Sequence, residues 1–162
     1  HARLYSEVDR GTRVSLFFPR KTVAPATDSR EIEAFAPTGA GETILVVEDD
    51  PDVRLITVSR LENLGYRVRI AVDGPSALDA VRAHADIDLA LIDVVMPGGM
   101  DGHTLADEIE KIAPRMKLVL TSGYSPRMAA SGAGTTRPFL SKPATRAQMA
   151  QVVRNVLGAT RR

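Results

Sequence analysis

At positions 43–51 the chain reads Thr43-Ile-Leu-Val-Val-Glu-Asp-Asp-Pro51, and this stretch decides the fold. Its first five residues are apolar or β-branched, which predicts a strand buried on both faces. Asp50 and Pro51 predict the N-cap and first residue of a helix, because the missing N–H of proline costs nothing there. Glu48 and Asp49 then lie at the carboxyl end of a central strand, where open α/β sheets bind ligands. Neighbouring carboxylates repel each other, so we expect a cation such as a metal ion between them.

The composition limits the classes of protein to consider. The chain has 162 residues, enough for one domain plus additional segments, and 44% hydrophobic with 25% charged residues is typical of a soluble globular protein. A net charge of +1 gives no electrostatic reason to expect nucleic-acid or membrane binding. The absence of cysteine excludes disulfides and thiolate metal sites, and it is compatible with the cytoplasm. Because the chain starts at His1, we expect it to be part of a longer protein.

The chain divides into regions that differ in composition and in the spacing of their apolar residues. Residues 1–20 contain two strand-like runs around a turn, which predict a β-hairpin that is marginally stable alone and belongs to the edge of another domain. Residues 21–41 contain prolines and glycines without a sustained period, which predicts a linker. Residues 42–158 show regular alternation and form the main domain, and residues 159–162 form a short tail.

The main domain alternates strand-like and helix-like segments. The predicted strands are 43–48, 67–71, 88–93, 116–121 and 138–141. The predicted helices are 51–64, 75–84, 103–112, 125–131 and 145–157. The helix 125–131 is the weakest of them, because the region from Tyr124 to Arg137 is rich in Gly, Ala and Thr. Five such units predict a doubly wound α/β fold, with a five-stranded parallel sheet covered on both faces by right-handed crossovers.

Polar residues follow four of the predicted strands. Glu48 and Asp49 follow the first, Asp93 the third, Thr121 the fourth and Lys142 the fifth. The doubly wound topology brings these strand ends to one edge of the sheet. This set suits phosphoryl transfer to a carboxylate: Asp93 as nucleophile, and Glu48 with Asp49 as oxygen ligands of Mg²⁺. Thr121 and Lys142 can contact phosphoryl oxygens, and the lysine offsets charge in the transition state.

Residues 43–157 resemble a response-regulator receiver domain, the phosphoaccepting module of two-component signalling. The matching segments are Ile44-Leu-Val-Val-Glu-Asp-Asp-Pro51, Ile92-Asp93, Met96-Pro97, Asp101-Gly102, Thr121-Ser-Gly123 and Ser141-Lys-Pro143. The resemblance implies a flavodoxin-like sheet of strand order 2-1-3-4-5. It implies that Asp93 is the phosphoacceptor and that Thr121 and Lys142 have further catalytic roles. The implied Mg²⁺ ligands are Glu48, Asp49, Asp93 and the backbone carbonyl of Val95. The implied conformational switch consists of Thr121 and Phe139.

The same resemblance implies partners and activity. A histidine kinase or phosphotransfer domain donates the phosphoryl group, and the domain assists its own phosphorylation and dephosphorylation. Direct nucleic-acid binding and membrane contact are not expected of this chain, and homodimerisation stays open. The chain departs from the family pattern in carrying an additional glycine at Gly98-Gly99, in Phe139 without a hydroxyl group, and in Ala144, where phenylalanine usually follows Lys-Pro.

The first twenty residues carry a second resemblance. Tyr5-Ser-Glu7 followed by Gly11-Thr-Arg-Val-Ser-Leu-Phe-Phe-Pro19 is similar to the last hairpin of a histidine-kinase ATP-binding domain. This implies a parent that is a hybrid histidine kinase with a C-terminal receiver, and it leaves open whether the parent spans a membrane.

Other functions are compatible with parts of the pattern. The domain could be a free-standing response regulator, whose upstream sequence would lack the ATP-binding motifs of a kinase. An aspartyl-phosphate phosphatase would share the nucleophile and Mg²⁺, but it typically has a second aspartate two residues later, where this chain has Val95. A degenerate receiver that only docks is disfavoured because every predicted site position carries a chemically competent residue. Without the rest of the pattern, Glu48 to Asp50 would be a helix cap cluster and Phe139 a core residue.

Overall fold

The computed structural model describes residues 2–7, 11–17, 38–97, 99–123 and 137–158. The chain divides into two compact units, His1–Glu31 and Ile32–Arg162. The predicted helix 125–131, most of the predicted linker and the predicted tail lie outside the described residues.

The first unit contains the predicted hairpin. Strand β1 (Ala2–Glu7) pairs antiparallel with β2 (Gly11–Leu16), and Leu4 lies opposite Val14. Both of these side chains are more than half exposed. The hairpin therefore buries little apolar surface among its described residues, in agreement with the marginal stability expected of a two-stranded ribbon.

The second unit contains a five-stranded parallel sheet. Its strands are β3 (Thr43–Val47), β4 (Arg67–Ala71), β5 (Ile87–Asp93), β6 (Lys117–Ser122) and β7 (Phe139–Ser141). Their order is β4-β3-β5-β6-β7, which is 2-1-3-4-5 counted within this unit. The predicted fold is confirmed, and each predicted strand end agrees with the structure to within one residue.

Four helices are described in this unit. They are α1 (Pro51–Glu62), α2 (Gly74–Ala83), α3 (Gly102–Ile112) and α4 (Arg146–Gly158). The first three each begin after an aspartate whose side chain accepts backbone N–H groups of the first turn, namely Asp50, Asp73 and Asp101. Helix α1 ends two residues before its predicted end because the chain turns at Gly65, whose φ of +85° only glycine adopts readily.

The two faces of β3 belong to two separate cores. Leu45 and Val47 pack with residues of α2 and α3, whereas Ile44 and Val46 pack with residues of α1 and α4. All five residues of β3 are buried, which confirms the prediction of a strand covered on both faces. No helix among the described residues is long and apolar enough to cross a membrane.

Candidate functional site

The predicted carboxylates, Thr121 and Lys142 stand at the carboxyl ends of the strands, where backbone hydrogen bonds extend beyond the strands themselves. The amide of Glu48 donates to the Ala71 carbonyl at 3.2 Å, and the amide of Lys142 donates to the Ser122 carbonyl at 2.8 Å. Asp93 is the register partner of Thr121 on the neighbouring strand. The sheet therefore holds these residues at one edge, as the sequence predicts.

Three carboxylates meet at this edge. Glu48, Asp49 and Asp93 each offer an oxygen atom, and these atoms lie within 4.8 Å of one another. Glu48 and Asp93 are only 4% and 8% exposed. Several hard oxygen atoms at this spacing fit a divalent cation such as Mg²⁺. Val95 contributes its amide to Asp93 Oδ1 at 3.3 Å, while the role of its carbonyl as a further ligand stays a prediction.

One lysine contacts two of the three carboxylates. Lys142 Nζ donates to Glu48 Oε2 at 2.5 Å and to Asp93 Oδ2 at 2.9 Å. Burial alone would lower the pKa of Lys142, but the hydrogen bonds with Glu48 and Asp93 outweigh it and raise the pKa above its ordinary value. The lysine is therefore charged at neutral pH. Among the described residues, the three carboxylates hydrogen-bond one cationic side chain, that of Lys142, so a divalent cation would add positive charge where the carboxylates lack it.

The electrostatics of Glu48 support the same conclusion. Burial raises the pKa of its carboxyl group above the ordinary value, and the charges of Asp93 and Asp49 act in the same direction. The hydrogen bond with Lys142 opposes them without fully compensating. A bound divalent cation would favour the ionised form, so binding of a cation and loss of a proton at Glu48 are linked.

The two predicted switch residues lie on adjacent strands. Thr121 is 5% exposed, and its hydroxyl group donates to the Ile92 carbonyl over a long 3.4 Å. Phe139 is half-buried, packs against the core under α2 and α3, and is the register partner of Leu120. Thr121 is thus part of the acidic edge, because it is the register partner of Asp93. Phe139 lies one residue before Leu140, which is the register partner of Thr121. Motion of either side chain stays a prediction.

The Asp-Gly pair of the sequence motif keeps the loop after Asp93 close to its strand. The amide of Gly102 donates to the Val94 carbonyl at 3.0 Å. A Cβ atom at Gly102 would lie 2.2 Å from the Asp93 carbonyl oxygen, so any other residue would displace the backbone that carries Asp93. Asp101 caps α3 by accepting the amide of Thr104 at 2.7 Å.

Arg54 was not predicted as a site residue, but its side chain contacts the backbone of the acidic pair. Its Nη1 atom donates to the backbone carbonyls of Glu48 at 2.7 Å and Asp49 at 3.0 Å. The guanidinium therefore fixes the turn between β3 and α1 that presents both carboxylates. An arginine four residues after the N-cap Asp50 lies one helical turn from this loop, and that spacing is the signal in the sequence.

The fold and the site define a class: a doubly wound α/β domain with an acidic, lysine-containing site at the carboxyl edge of its sheet. Residues 44–154 match the family model of the response regulator receiver domain. The chain belongs to this family and contains a receiver domain of two-component signalling.

Two curated relatives illustrate the protein contexts of such a domain. Sensor kinase CckA of Brucella abortus is 33% identical over an alignment of 162 positions that covers 94% of this chain and 17% of the kinase. The response regulator receiver protein CpdR of the same organism is 38% identical over 82 positions, covering 51% of this chain and 67% of CpdR. The chain thus spans about a sixth of the length of the sensor kinase that it matches.

Solved structures agree with the fold. A response regulator receiver protein from Sinorhizobium medicae superposes with a TM-score of 0.67 at 29% identity, covering 74% of this chain and 97% of that protein. The response regulator protein TrrA from Thermotoga maritima, solved in complex with Mg²⁺-BeF, superposes with a TM-score of 0.64 at 27% identity, covering 71% of this chain and 98% of TrrA.

Proposed function

We propose that this domain accepts a phosphoryl group from a phosphohistidine onto Asp93 in an Mg²⁺-dependent reaction. The observation that carries the proposal is the cluster of three carboxylates within 4.8 Å, two of which share one lysine. The complex of TrrA with Mg²⁺-BeF, a mimic of a metal-bound phosphoryl group, supports the same chemistry here.

The residues of the acidic edge have separate roles in the proposed phosphoryl transfer. A carboxylate oxygen of Asp93 attacks phosphorus, the bond from phosphorus to the donor histidine nitrogen breaks, and that nitrogen keeps the electron pair. Glu48, Asp49, Asp93 and the Val95 carbonyl would hold the ion. When bound, Mg²⁺ supplies positive charge that offsets the phosphoryl oxygens. The carboxylates thereby stay ionised close together.

Lys142 and Thr121 are positioned to respond to the new group. Lys142 pairs with Asp93 at 2.9 Å in this structure, and after transfer its ammonium group would pair with a phosphoryl oxygen. The Thr121 hydroxyl group would break its long hydrogen bond with the Ile92 carbonyl and turn towards the phosphoryl group on Asp93. Phe139 lies beside Leu120 on the next strand and would follow that movement by changing its burial.

We further propose that the parent protein is a hybrid histidine kinase acting in the cytoplasm. The alignment with CckA leaves out 6% of this chain, or about ten residues, so it extends into the segment that carries the hairpin. A kinase or phosphotransfer domain would then be the phosphodonor. The match to CpdR favours the alternative of a free-standing response regulator. ATP-binding motifs in the sequence before His1 would distinguish the two.

Acetyl phosphate with Mg²⁺ tests the proposal directly. Intact-mass spectrometry should show addition of one phosphoryl group to the wild type and none to Asp93→Asn, whose amide is not a nucleophile. Asp79→Asn, the same change on the exposed surface of α2, should label like the wild type. An unlabelled wild type, or an Asp93→Asn variant that labels to the same extent, would contradict the assignment.

A further inference from the structure

A cleft of about 470 Å³ lies beside the acidic edge, between α1 and the segment that joins β7 to α4. Its apolar lining includes Val46, Val53, Leu91, Leu140, Ala144 and Met149. Val46 and Leu91 are 1% and 2% exposed, so the floor is recessed. The volume falls in the range of small-molecule sites, and a recessed apolar floor with few polar groups is typical of them.

One face of α1 forms a wall of this cleft. Val53, Ile56, Thr57 and Arg60 all line it, and their spacing of three, four and seven residues places them on the same side of the helix. Val53 and Arg60 are separated by about 10 Å along the helix axis. Ile56 is 52% exposed, which leaves a large apolar side chain in contact with water. The cleft therefore offers an elongated apolar surface that ends at an arginine.

Ala144 explains why there is space opposite this wall. It is 8% exposed and lines the cleft with a single methyl group, at the position where receiver domains usually have phenylalanine. Arg60 Nη1 donates to the Ala144 carbonyl at 2.6 Å, so the guanidinium group is anchored beside this position. The small side chain and the anchored arginine together create a cavity with a cation at one end.

We infer that this cleft binds a small amphipathic anion, with an apolar body along α1 and one carboxylate on Arg60. Among the described residues, Glu48, Arg60 and Lys142 are the charged ones that line the cleft, and Glu48 and Lys142 already pair with each other. Arg60 has five N–H donors and gives one to Ala144, so its planar guanidinium can also bind a carboxylate. The apolar body gains free energy by covering apolar lining that is in contact with water, such as Ile56. This inference does not depend on phosphoryl chemistry.

A titration with 4-phenylbutyrate tests the inference. The full chain, ¹⁵N-labelled and free of magnesium, should show saturable shifts of the amides around Thr57, Leu140 and Ala144. A dissociation constant in the millimolar range is expected for a ligand of this size. The uncharged 4-phenylbutanol should bind at least about fivefold more weakly, since it cannot form the charged hydrogen bonds with Arg60. Non-saturable shifts, shifts elsewhere, or equal affinity for the alcohol would overturn the inference.

Matched variants locate the site. Ala144→Phe should abolish binding by filling the cleft, whereas Ala83→Phe, on the exposed end of α2, should bind like the wild type. Arg60→Gln should weaken binding about tenfold, with Arg82→Gln as the control. If Ala144→Phe does not fold, Ala144→Leu fills part of the same space and should still weaken binding. Wild-type affinity in a folded Ala144 variant would also overturn the inference.

Discussion

Replacing Asp49 by asparagine should stabilise the protein when no divalent cation is present. An oxygen atom of Asp49 lies within 4.8 Å of one from Glu48 and one from Asp93. Two unit charges at that distance repel by about 3.5 kcal/mol at an effective dielectric constant of 20 and by about 0.9 kcal/mol in water. Asp49 is partly exposed and Lys142 offsets part of the repulsion, so we expect a gain of about 1 to 2 kcal/mol.

Magnesium should stabilise the wild type more than Asp49→Asn and so remove the advantage of the variant. A ligand that binds only the folded state at a hundred times its dissociation constant stabilises it by about 2.7 kcal/mol. The wild type should gain this amount, whereas Asp49→Asn, having lost a ligand carboxylate, should gain little. The variant is then more stable in EDTA and the wild type at least as stable in saturating Mg²⁺.

Urea unfolding of the full chain, followed by circular dichroism in EDTA and in Mg²⁺, measures both effects. Asp50→Asn is the matched control, because Asp50 is exposed, caps α1 and lies outside the carboxylate cluster. Asparagine caps helices as well as aspartate does, so this variant should behave like the wild type in both buffers. The reasoning is refuted if Asp49→Asn is less stable than the wild type in EDTA, or if magnesium stabilises both proteins equally.

Two further predictions concern arginines. Arg54→Met should weaken Mg²⁺ binding about tenfold, as measured by calorimetry, because the turn that presents the carboxylates loses the hydrogen bonds from Arg54. Arg54→Lys should recover part of the lost affinity. Unchanged Mg²⁺ affinity in Arg54→Met would show that this contact does not support the site. Arg137→Gln should lower the free energy of unfolding by about 1 kcal/mol at pH 7, since Arg137 pairs with Glu110 and Asp107. The hydrogen bond with Arg137 holds the pKa of Glu110 below its ordinary value, so this contribution is complete above about pH 4.3 and disappears as the pH falls through the lowered pKa. Urea unfolding at several pH values would contradict this if the gap between wild type and Arg137→Gln widened in acid.

The sequence by itself determined the strands, the four described helices and the order of these elements along the chain, and it placed the carboxylates and the lysine of the predicted site at or just after the ends of strands. These features have local signals. The buried run 43–47 is continuous in the chain, Asp50 stands directly before the proline that starts α1, and Gly65 supplies the positive φ that ends the same helix. Some strand ends differ from the predicted ones by one residue, because the end of a strand depends on its pairing with the neighbouring strand and not on the apolar run alone.

Only the tertiary structure decided which of these residues touch and what lies between them. Lys142 and Glu48 are 94 positions apart in sequence, and their 2.5 Å contact requires the order of the four strands from β3 to β7 and the rotamers of both side chains. The same holds for the cleft between Arg60 and Ala144, which are 84 positions apart. Such contacts arise from close packing of distant segments, which leaves no periodicity or motif in the sequence.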